Sequence, residues 1–338
     1  MAYDVSALSA YVEEHREVIF KRLATALQMT KYCRLLPGVK GAINLNIITG
    51  QPTFQSGASC GLSPSGDVAF SQRMLQTAPI AVKESFCPNT LLGYWQEYLV
   101  KVDAGLIRED MPFEDQIVRL LMGGIIADMD KALWQGDTVS GTGNMAFFDG
   151  WLTTIAGDTD ITVQTITSGA SAYAAIMSVY GDVTDAMIAS GVKIFVDPAI
   201  YRAAMQDLVA LNLFHFNPGN SNESFILPGT SIEVVNTAGL VGTYAIVATP
   251  GENLVYGFDI EDAVRNFRLW YSDDDEVFYL KVLWNAGAQY AFSDTIAAGV
   301  MAAAPAPITP ASATLASIAA GVDTLADADH IYKTKEQA

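Results

Sequence analysis

The segment 110–151 holds a long helix whose two ends are marked by residues that favour helix termini. Asp110 and Pro112 are typical of a helix start, and acidic residues follow in the first turn. Gly136 stands where a left-handed C-terminal cap is expected. The pattern predicts one helix over 111–135, which would be roughly 36 Å long at 1.5 Å per residue. Such a helix is longer than a compact domain requires, and it indicates a rod that braces or spans the fold.

One face of this helix is expected to be buried, because apolar residues recur along it at helical spacing. A glycine-rich connector and the turn FFDGW follow the helix. We expect Trp151 in that turn to pack against the C-terminal half of the helix. The predicted buried stripe consists of Ile117, Leu121 and Ile125, with Leu120, Ala132 and Leu133 close to the same face.

Composition and charge narrow the possible functions. The 338 residues, 51% of them hydrophobic, are enough for two domains with cores of their own or for one body with long excursions. The 37 acidic and 19 basic residues give a net charge of −18, which disfavours a general nucleic-acid binder and docking on an anionic membrane. No apolar run approaches the roughly 20 residues of a membrane-spanning helix, and the acidic N-terminal segment is unlike a signal peptide. We therefore expect a chain that is made and kept in a cytoplasm.

The segments before the long helix are predicted to form an amphipathic helix and a long hairpin. Residues 7–36 have helical apolar spacing and are followed by Pro37 and Gly38. Between 39 and 87, apolar residues alternate around a tip rich in Gly, Ser and Pro, which predicts one open β-hairpin. Such a hairpin is marginal alone in water, so we expect it to lie on its own domain or on a neighbouring copy. For 88–108, strand and helix both remain open. The alternating residues are Ile43, Leu45 and Ile47 on one strand, and Ile80 and Val82 on the other.

The segments after Trp151 alternate between helix and strand, which predicts an α/β part. Helices are expected over 168–190, closed by Gly191, and from Asp197 and Pro198 to about Leu211, with the buried strand KIFV between them. The segments IEVVNT and TYAIVAT are typical of strands. A last hairpin is predicted from FRLWY and VFYLKVLW, joined by SDDDE, and an Ala/Pro linker with a short amphipathic tail follows.

A GxSxG pattern, which in hydrolases carries the nucleophile between a core strand and a helix, occurs in the hairpin tip. It is followed here by Pro64 within a turn-forming segment, and this context disfavours a nucleophile. An α/β hydrolase that uses Ser59 therefore stays only as an alternative function. The pattern is formed by Gly57, Ser59 and Gly61, and the histidines in the expected chain order are His215 and His330.

Three further patterns favour structural roles. Gly141, Gly143 and Ala146 match the GxGxxA of phosphate-binding loops, but they follow a helix and not a strand, which predicts a flexible connector. The acidic run 273–276 could hold a hard cation, although a solvated hairpin turn is the commoner role of such a run. The cysteines are odd in number and widely spaced, which favours reduced thiols over disulfides or a zinc site; they are Cys33, Cys60 and Cys87. The sequence thus predicts no catalytic, cofactor-binding or metal-binding residues and no enzyme.

The order of these segments resembles a known family. The long helix ends in ALWQGDT before the FFDGW turn, VDPAIYRAAMQDL follows as a strand, an Asp-Pro turn and a helix, and PGTSIEVV and YGFDIEDAVRNF precede the last hairpin. This order, over roughly residues 5–300, resembles the major capsid proteins of tailed phages, which have the Hong Kong 97-like shell fold. An exposed hairpin and a rod-like helix suit a subunit that buries surface against many copies.

The resemblance implies an α+β fold with an N-terminal arm, an extended β-hairpin called the E-loop, a P-domain with a long spine helix, and an α/β A-domain. The tail has no counterpart in the family. The implied divisions are the arm 1–37, the E-loop 38–88, the P-domain 89–160 with its spine helix 111–135, the A-domain 161–265, the return strands 266–301 to the P-domain, and the linker and tail 302–338.

The resemblance also implies a function and a set of partners. The chain would self-assemble through pentamers and hexamers into the icosahedral shell that encloses the double-stranded DNA genome of a phage, without sequence-specific DNA binding. Portal, scaffolding and auxiliary capsid proteins would be its other partners, with no membrane and no cofactor. It would be located in the virion after assembly in the cytoplasm of a bacterial host. The alternative on the same fold is an encapsulin-like compartment shell.

Overall fold

The structure, a computed structural model, describes residues 12–15, 19, 26–54, 66–87, 97, 100–101, 103–104, 113–167, 169–211, 223–259 and 268–305. These residues form two β-sheets of five and six strands and a separate two-stranded hairpin. The strands are β1 Arg34–Pro37, β2 Ala42–Pro52, β3 Gly66–Gln76, β4 Ala78–Phe86, β5 Val163–Ile166, β6 Val192–Val196, β7 Ser224–Ile226, β8 Glu233–Asn236, β9 Ala245–Pro250, β10 Leu254–Phe258, β11 Arg268–Ser272, β12 Val277–Tyr290 and β13 Ala297–Met301. The helices are α1 Phe113–Gln135, α2 Trp151–Gly157, α3 Ala172–Gly181, α4 Asp185–Ala189 and α5 Pro198–Ala210.

The first sheet is built around the long strand β12. Its order is β1-β10-β12-β11, and β4 pairs with the same β12. Along β12 the side chains alternate between buried and half-buried, which is the pattern of a strand with one face on a core. Phe278, Leu280, Val282 and Trp284 point into the core that this sheet shares with α1. The predicted last hairpin is therefore confirmed as β11 and β12.

Helix α1 confirms the predicted long helix, since it runs from Phe113 to Gln135. Leu133 and Trp134 at its C-terminal end are fully buried, and Leu121 and Ile125 are half-buried against the same core. Leu120, however, was wrongly placed on the buried face, because it is 70% exposed. At 3.6 residues per turn it lies about 180° around the helix from the buried Met129.

The end of α1 is closed by backbone packing and not by a left-handed residue. Gly136 does not have a positive φ, so the predicted left-handed cap is wrong. Its N–H donates to the Ala132 carbonyl, and its own carbonyl accepts from the Gly150 N–H at 2.8 Å. A Cβ on Gly136 would lie 2.3 Å from the Phe148 carbonyl oxygen. Glycine is needed here because the turn before Trp151 passes directly over the helix end.

The second sheet forms the predicted α/β part. Its order is β5-β13-β9-β6-β8-β7, with α3 and α5 packed against each other and on the sheet. The KIFV segment is β6 and is buried, and Gly191 before it has φ +79°, as expected for a residue that closes a helix. Asp197 caps α5 by accepting from the Ala199 N–H at 2.7 Å. The helix predicted from Asp197 and Pro198 is thus confirmed.

The predicted helix over 7–36 is wrong at its C-terminal end. Residues 12–15 and 19 are helical, but Gln28–Lys31 is a short 3-10 helix and Arg34–Pro37 is strand β1, parallel to β10. The buried Asp130 carboxylate on α1 accepts from the Gln28 N–H at 2.9 Å, which fixes this chain segment on α1. Tertiary pairing has therefore overridden local helical spacing. In the segment 88–108, which sequence left open, the described residues 97, 100, 101 and 103 are helical.

The predicted hairpin exists but returns earlier than expected. Strands β2 and β3 pair antiparallel from Ala42–Gln76 to Pro52–Gly66. Ile80 and Val82 are not in its return strand, because they lie in β4, which pairs with β12. Thr77 marks the change: its hydroxyl accepts from the Gly41 N–H at 3.0 Å and closes the hairpin base. An alternating apolar pattern fits both locations, and only the long-range partner decides between them.

The predicted domain boundaries remain predictions. Two strands pair with a sheet that lies mainly in another predicted domain. β10, within the predicted A-domain 161–265, pairs with β12 in the first sheet. β13, within the predicted return strands 266–301, pairs with β5 and β9 in the second sheet. In the part of the chain that the structure describes, no helix is long and apolar enough to span a membrane.

Candidate assembly surfaces

The hairpin of β2 and β3 has one face on the protein and one face in solvent. On the inner face, Leu45 and Leu75 are buried against Val255 of β10. A Cβ at Gly257 would lie 2.6 Å from the Leu75 side chain, so glycine in β10 lets the hairpin base approach closely. The inner face is therefore a small apolar core that holds the hairpin at its base.

The outer face of the hairpin carries several exposed apolar side chains. Ile48 is 64% exposed and stands directly opposite Phe70, which is 76% exposed. Val68 and Met74 extend the patch along the same face of β3 and are more than half exposed. Burying one such side chain is worth about 1.5–3 kcal/mol, so a chain that leaves four of them together in water has a surface suited to a partner. We call Ile48, Val68, Phe70 and Met74 the hairpin patch.

A polar cluster links the hairpin to the body. Arg73 of β3 donates to the Asp158 carboxylate at 2.9 Å and lies over the Tyr290 ring at 4.3 Å. The Tyr290 hydroxyl donates to the same carboxylate at 2.6 Å, and the Asp160 N–H donates to its other oxygen at 3.0 Å. The Tyr290 hydrogen bond, joined by those from Asp160 and Arg73, lowers the pKa of Asp158 below its usual range, against the opposing effect of burial. The ionised Asp158 carboxylate therefore links Arg73 of the hairpin to Tyr290 of β12.

Replacing Tyr290 with phenylalanine should destabilise the subunit, and the loss relative to the parent should be larger near neutral pH than in acid. Because the folded pKa of Asp158 is lowered, its contribution to stability is present above the unfolded pKa of about 3.9 and is lost as the pH falls through the lower folded value. We expect Tyr290→Phe to lower the free energy of unfolding by about 1–2 kcal/mol at pH 6 and by less at pH 2.5, measured by urea titration. An equal loss at both pH values would contradict the role of the carboxylate. Tyr173→Phe on α3 is the control, with no expected pH dependence.

A groove of about 470 Å³ runs between α1 and the β4 side of the first sheet. Apolar side chains from three elements line it, among them Leu120, Ile125, Phe147 and Trp284. The exposed Leu120, which sequence placed in the core, borders this groove. Lys83, Glu84 and Asp128 are the ionisable residues of its lining and apolar residues outnumber them, so the groove has the character of a packing surface.

The motifs with a possible chemical role do not form a site in the described residues. Ser59 and its GxSxG pattern lie outside them, as do His215 and His330. Gly141, Gly143 and Ala146 lie in the connector after α1, which forms a close turn and a short 3-10 helix: a Cβ on Gly141 would lie 2.2 Å from the Asp137 carbonyl oxygen. The glycine at position 141 is therefore explained by this tight turn.

The acidic run and one of the cysteines have clear positions in the fold. Asp273 to Glu276 form the exposed turn between β11 and β12, where Asp275 accepts from the Tyr279 hydroxyl at 3.0 Å. Within the described ranges, no group of three His, Cys, Asp or Glu residues could hold a metal ion. Burial raises the pKa of the half-buried Cys33 thiol to about 12, so this thiol stays protonated. Cys60 lies outside the described residues.

Sequence reasoning found neither the hairpin patch nor the polar cluster at its base. Arg73, Asp158 and Tyr290 are far apart along the chain, and each is an ordinary residue in its local pattern. The patch did leave a signal, since Val68 and Phe70 are spaced two residues apart directly after the predicted hairpin tip, as on one face of a strand.

No family model and no curated protein sequence matches the chain. In structure it is similar to a chain of the satellite phage P4 procapsid including size determination (Sid) protein, at 12% identity and a TM-score of 0.57, over 84% of this chain and 90% of that chain. It is also similar to a chain of the capsid of an empty GTA particle, at 10% identity and a TM-score of 0.52, over 81% and 89%. At these identities the likeness concerns the fold, and this chain has the fold of phage and phage-like capsid proteins, the Hong Kong 97-like shell fold.

Proposed function

We propose that this chain is the major capsid protein of a tailed phage and self-assembles into the icosahedral shell around double-stranded DNA. The observation that carries the proposal is the hairpin patch on a chain with a capsid fold. The patch contains Phe70 and Ile48 side by side, exposed on a hairpin whose base packs on the body. A monomer gains nothing from such a surface, whereas a shell subunit buries it against a neighbouring copy.

The elements of the fold take the following roles in this proposal. The β2–β3 hairpin is the E-loop, α1 is the spine helix of the P-domain, and the second sheet with α3 and α5 is the A-domain near the symmetry axes of pentamers and hexamers. Support comes from the length of α1 and from the burial of its C-terminal end under the Trp151 turn. The first sheet then flanks the spine helix and supports the base of the E-loop.

The charge of the chain agrees with a shell that contains DNA without binding it tightly. The net charge of −18 repels phosphate, so the shell would neither neutralise the packaged DNA nor bind particular DNA sequences. The remaining partners in the proposal are portal, scaffolding and auxiliary capsid proteins, none of which inserts in a membrane. The shell would form in the bacterial host cytoplasm and leave as the virion.

Electron microscopy of the purified recombinant chain tests the proposal, with and without a change in the hairpin patch. The parent chain is expected to form closed shells, or rings of five and six subunits. Phe70→Ser should abolish or strongly reduce these particles, while the free energy of unfolding of the dissociated subunit changes by less than about 0.5 kcal/mol, because Phe70 is exposed in the subunit. Val139→Ser, at a site that is 95% exposed in the connector after α1, is the matched control and should leave assembly intact.

A parent chain that stays monomeric at high concentration, with or without a scaffolding protein, would contradict a shell function. Particles recovered from cells also separate the phage shell from the encapsulin-like alternative. Nuclease-protected double-stranded DNA inside the particles supports a phage shell, and a co-purifying enzyme without DNA supports a compartment shell.

A further inference from the structure

Three cations lie side by side across the outer face of the first sheet. Lys281 of β12 is directly opposite Lys83 of β4 on one side and Arg268 of β11 on the other. Directly paired residues of neighbouring strands share a face and have Cβ atoms about 5 Å apart, so the three side chains form one row. Lys83 and Arg268 are exposed and Lys281 is half-buried. We call these residues the cation row.

The cation row is an electrostatic cost to the isolated subunit. Like charges directly opposite each other on a sheet repel, and the spacing of the row is inside the Debye length of about 8 Å at physiological salt. Among the described residues, none of the three takes part in an ion pair, although the chain has 37 acidic residues for 19 basic ones. An acid-rich chain that places three of its few cations together without a carboxylate has a surface that fits an anionic partner.

The surface beside the row adds apolar contact area. Trp270 and Tyr279 form the next cross-strand pair on the same face, with their rings stacked at 5.6 Å. Trp270 is 42% exposed, and Leu283 borders the row on its other side as a half-buried residue. Partly exposed aromatics next to cations are typical of a protein interface, where the apolar atoms supply the free energy and the charges supply orientation.

The chain itself carries a matching acidic element at the end of the same sheet. Asp273 and Asp274 are exposed in the β11–β12 turn, and neither carboxylate accepts a bond within the described residues. Within one subunit this turn is separated from Lys281 by about five strand residues, roughly 17 Å, so it cannot neutralise its own cation row. The β11–β12 turn of a second copy is not tied to this distance and can approach the cation row directly.

We propose that the cation row receives the acidic β11–β12 turn of a second copy of this chain, so that neighbouring sheets are joined by a charge-complementary contact. The inference rests on the proposed shell function, and it adds a contact that the hairpin patch does not supply. Packaged DNA is the less favoured anion, because three cations neutralise few phosphates on a chain of charge −18. Heterologous contacts of this kind, turn to row, close into rings when they repeat around an axis.

Charge reversal at the centre of the row tests the proposal by sedimentation velocity across a range of protein and salt concentrations. Lys281→Glu should raise the concentration needed for self-association at least about tenfold, because one attractive contact becomes repulsive. Lys131→Glu on the exposed side of α1 makes the same change in net charge and should shift it less than about twofold. Lys281→Gln guards against misfolding, since removing the repulsion should leave the subunit melting temperature unchanged or raised while association still weakens.

A charge swap identifies the partner. Asp273→Lys and Asp274→Lys together should also weaken association, and adding them to Lys281→Glu should restore at least part of it. Loss of parental association on adding salt should be reduced in the Lys281→Gln variant. Restored association supports the turn of a second copy, and failure of the swap to restore it overturns that assignment.

Three outcomes count against the inference in distinguishable ways. If the parent chain never self-associates, the proposed shell function fails, and the inference fails with it. If the parent associates and Lys281→Glu associates equally well, only the inference fails. If Lys281→Glu assembles normally but loses retention of a 40-base-pair duplex in a filter assay, the row serves phosphate and the second-copy contact is wrong.

Discussion

Replacing Trp151 with alanine should lower the free energy of unfolding of the subunit by about 4 kcal/mol, the loss typical of removing a fully buried aromatic side chain. Trp151 has no exposed surface, and its ring meets that of Trp134 edge-on at 5.0 Å. Its Nε1–H donates to the Gln289 carbonyl at 3.0 Å, so the substitution also leaves a β12 carbonyl without this donor. Guanidinium titration of dissociated subunits, followed by circular dichroism, measures the change.

Trp270→Ala is the matched control for this experiment. Trp270 is 42% exposed and is stacked on Tyr279, so we expect a loss of about 1 kcal/mol or less. Equal losses for Trp151→Ala and Trp270→Ala would show that the turn does not dock on α1. The contrast tests directly whether the Trp turn holds the end of the long helix.

Replacing Gly150 with alanine should destabilise the subunit by about 3 kcal/mol through steric overlap at the same turn. A Cβ on Gly150 would lie 2.7 Å from the Trp134 carbonyl oxygen and 2.8 Å from the Gly136 nitrogen. Both are backbone atoms, so no flexible side chain can move away. The turn would have to lift from the helix, and the buried Trp151 ring beside it would move as well. Differential scanning calorimetry should show a melting temperature lowered by several degrees.

The same helix offers a control with the opposite sign. Gly124 lies in the middle of α1, and a Cβ there would meet nothing within 4 Å. Gly124→Ala should therefore stabilise the subunit by roughly 0.5–1 kcal/mol, because alanine has the higher helix propensity. A loss of stability in both variants would mean that the space at Gly124 is filled by a neighbour, and a gain in both would contradict the packing at Gly150.

Elements governed by short-range chemistry were predictable from the sequence. The long helix, the buried β6, the Asp197 cap of α5 and the β11–β12 hairpin all follow from signals within a few residues of each other. The docking of Trp151 was also predicted correctly, because a turn that ends a long helix brings its aromatic residue back over the last turns. The overall order of such elements was enough to identify the fold.

Elements governed by distant partners were not predictable. β1 was assigned to a helix, and it is a strand because β10, far along the chain, offers it an edge. Ile80 and Val82 have the same alternation in a hairpin or in a sheet, and β12 decides between the two. Gly136 has a common local explanation, a left-handed cap, but its true role depends on the approach of Gly150 and Phe148. The polar cluster of Arg73, Asp158 and Tyr290 likewise exists only after folding.

The place of β13 in the second sheet sets a limit on when a subunit can fold during its synthesis. β13 lies between β5 and β9, with Ala298 paired to Val163 on one side and to Val247 on the other. A nascent chain that has reached β9 therefore holds β5 with no strand beside it, and the sheet closes only when Met301 has left the ribosome. At about 5–20 residues per second, the 50 or so residues after β9 take roughly 3–10 s to synthesise. Translation of the last hairpin thus delays completion of the second sheet, and until then the open edges of β5 and β9 can pair with another chain.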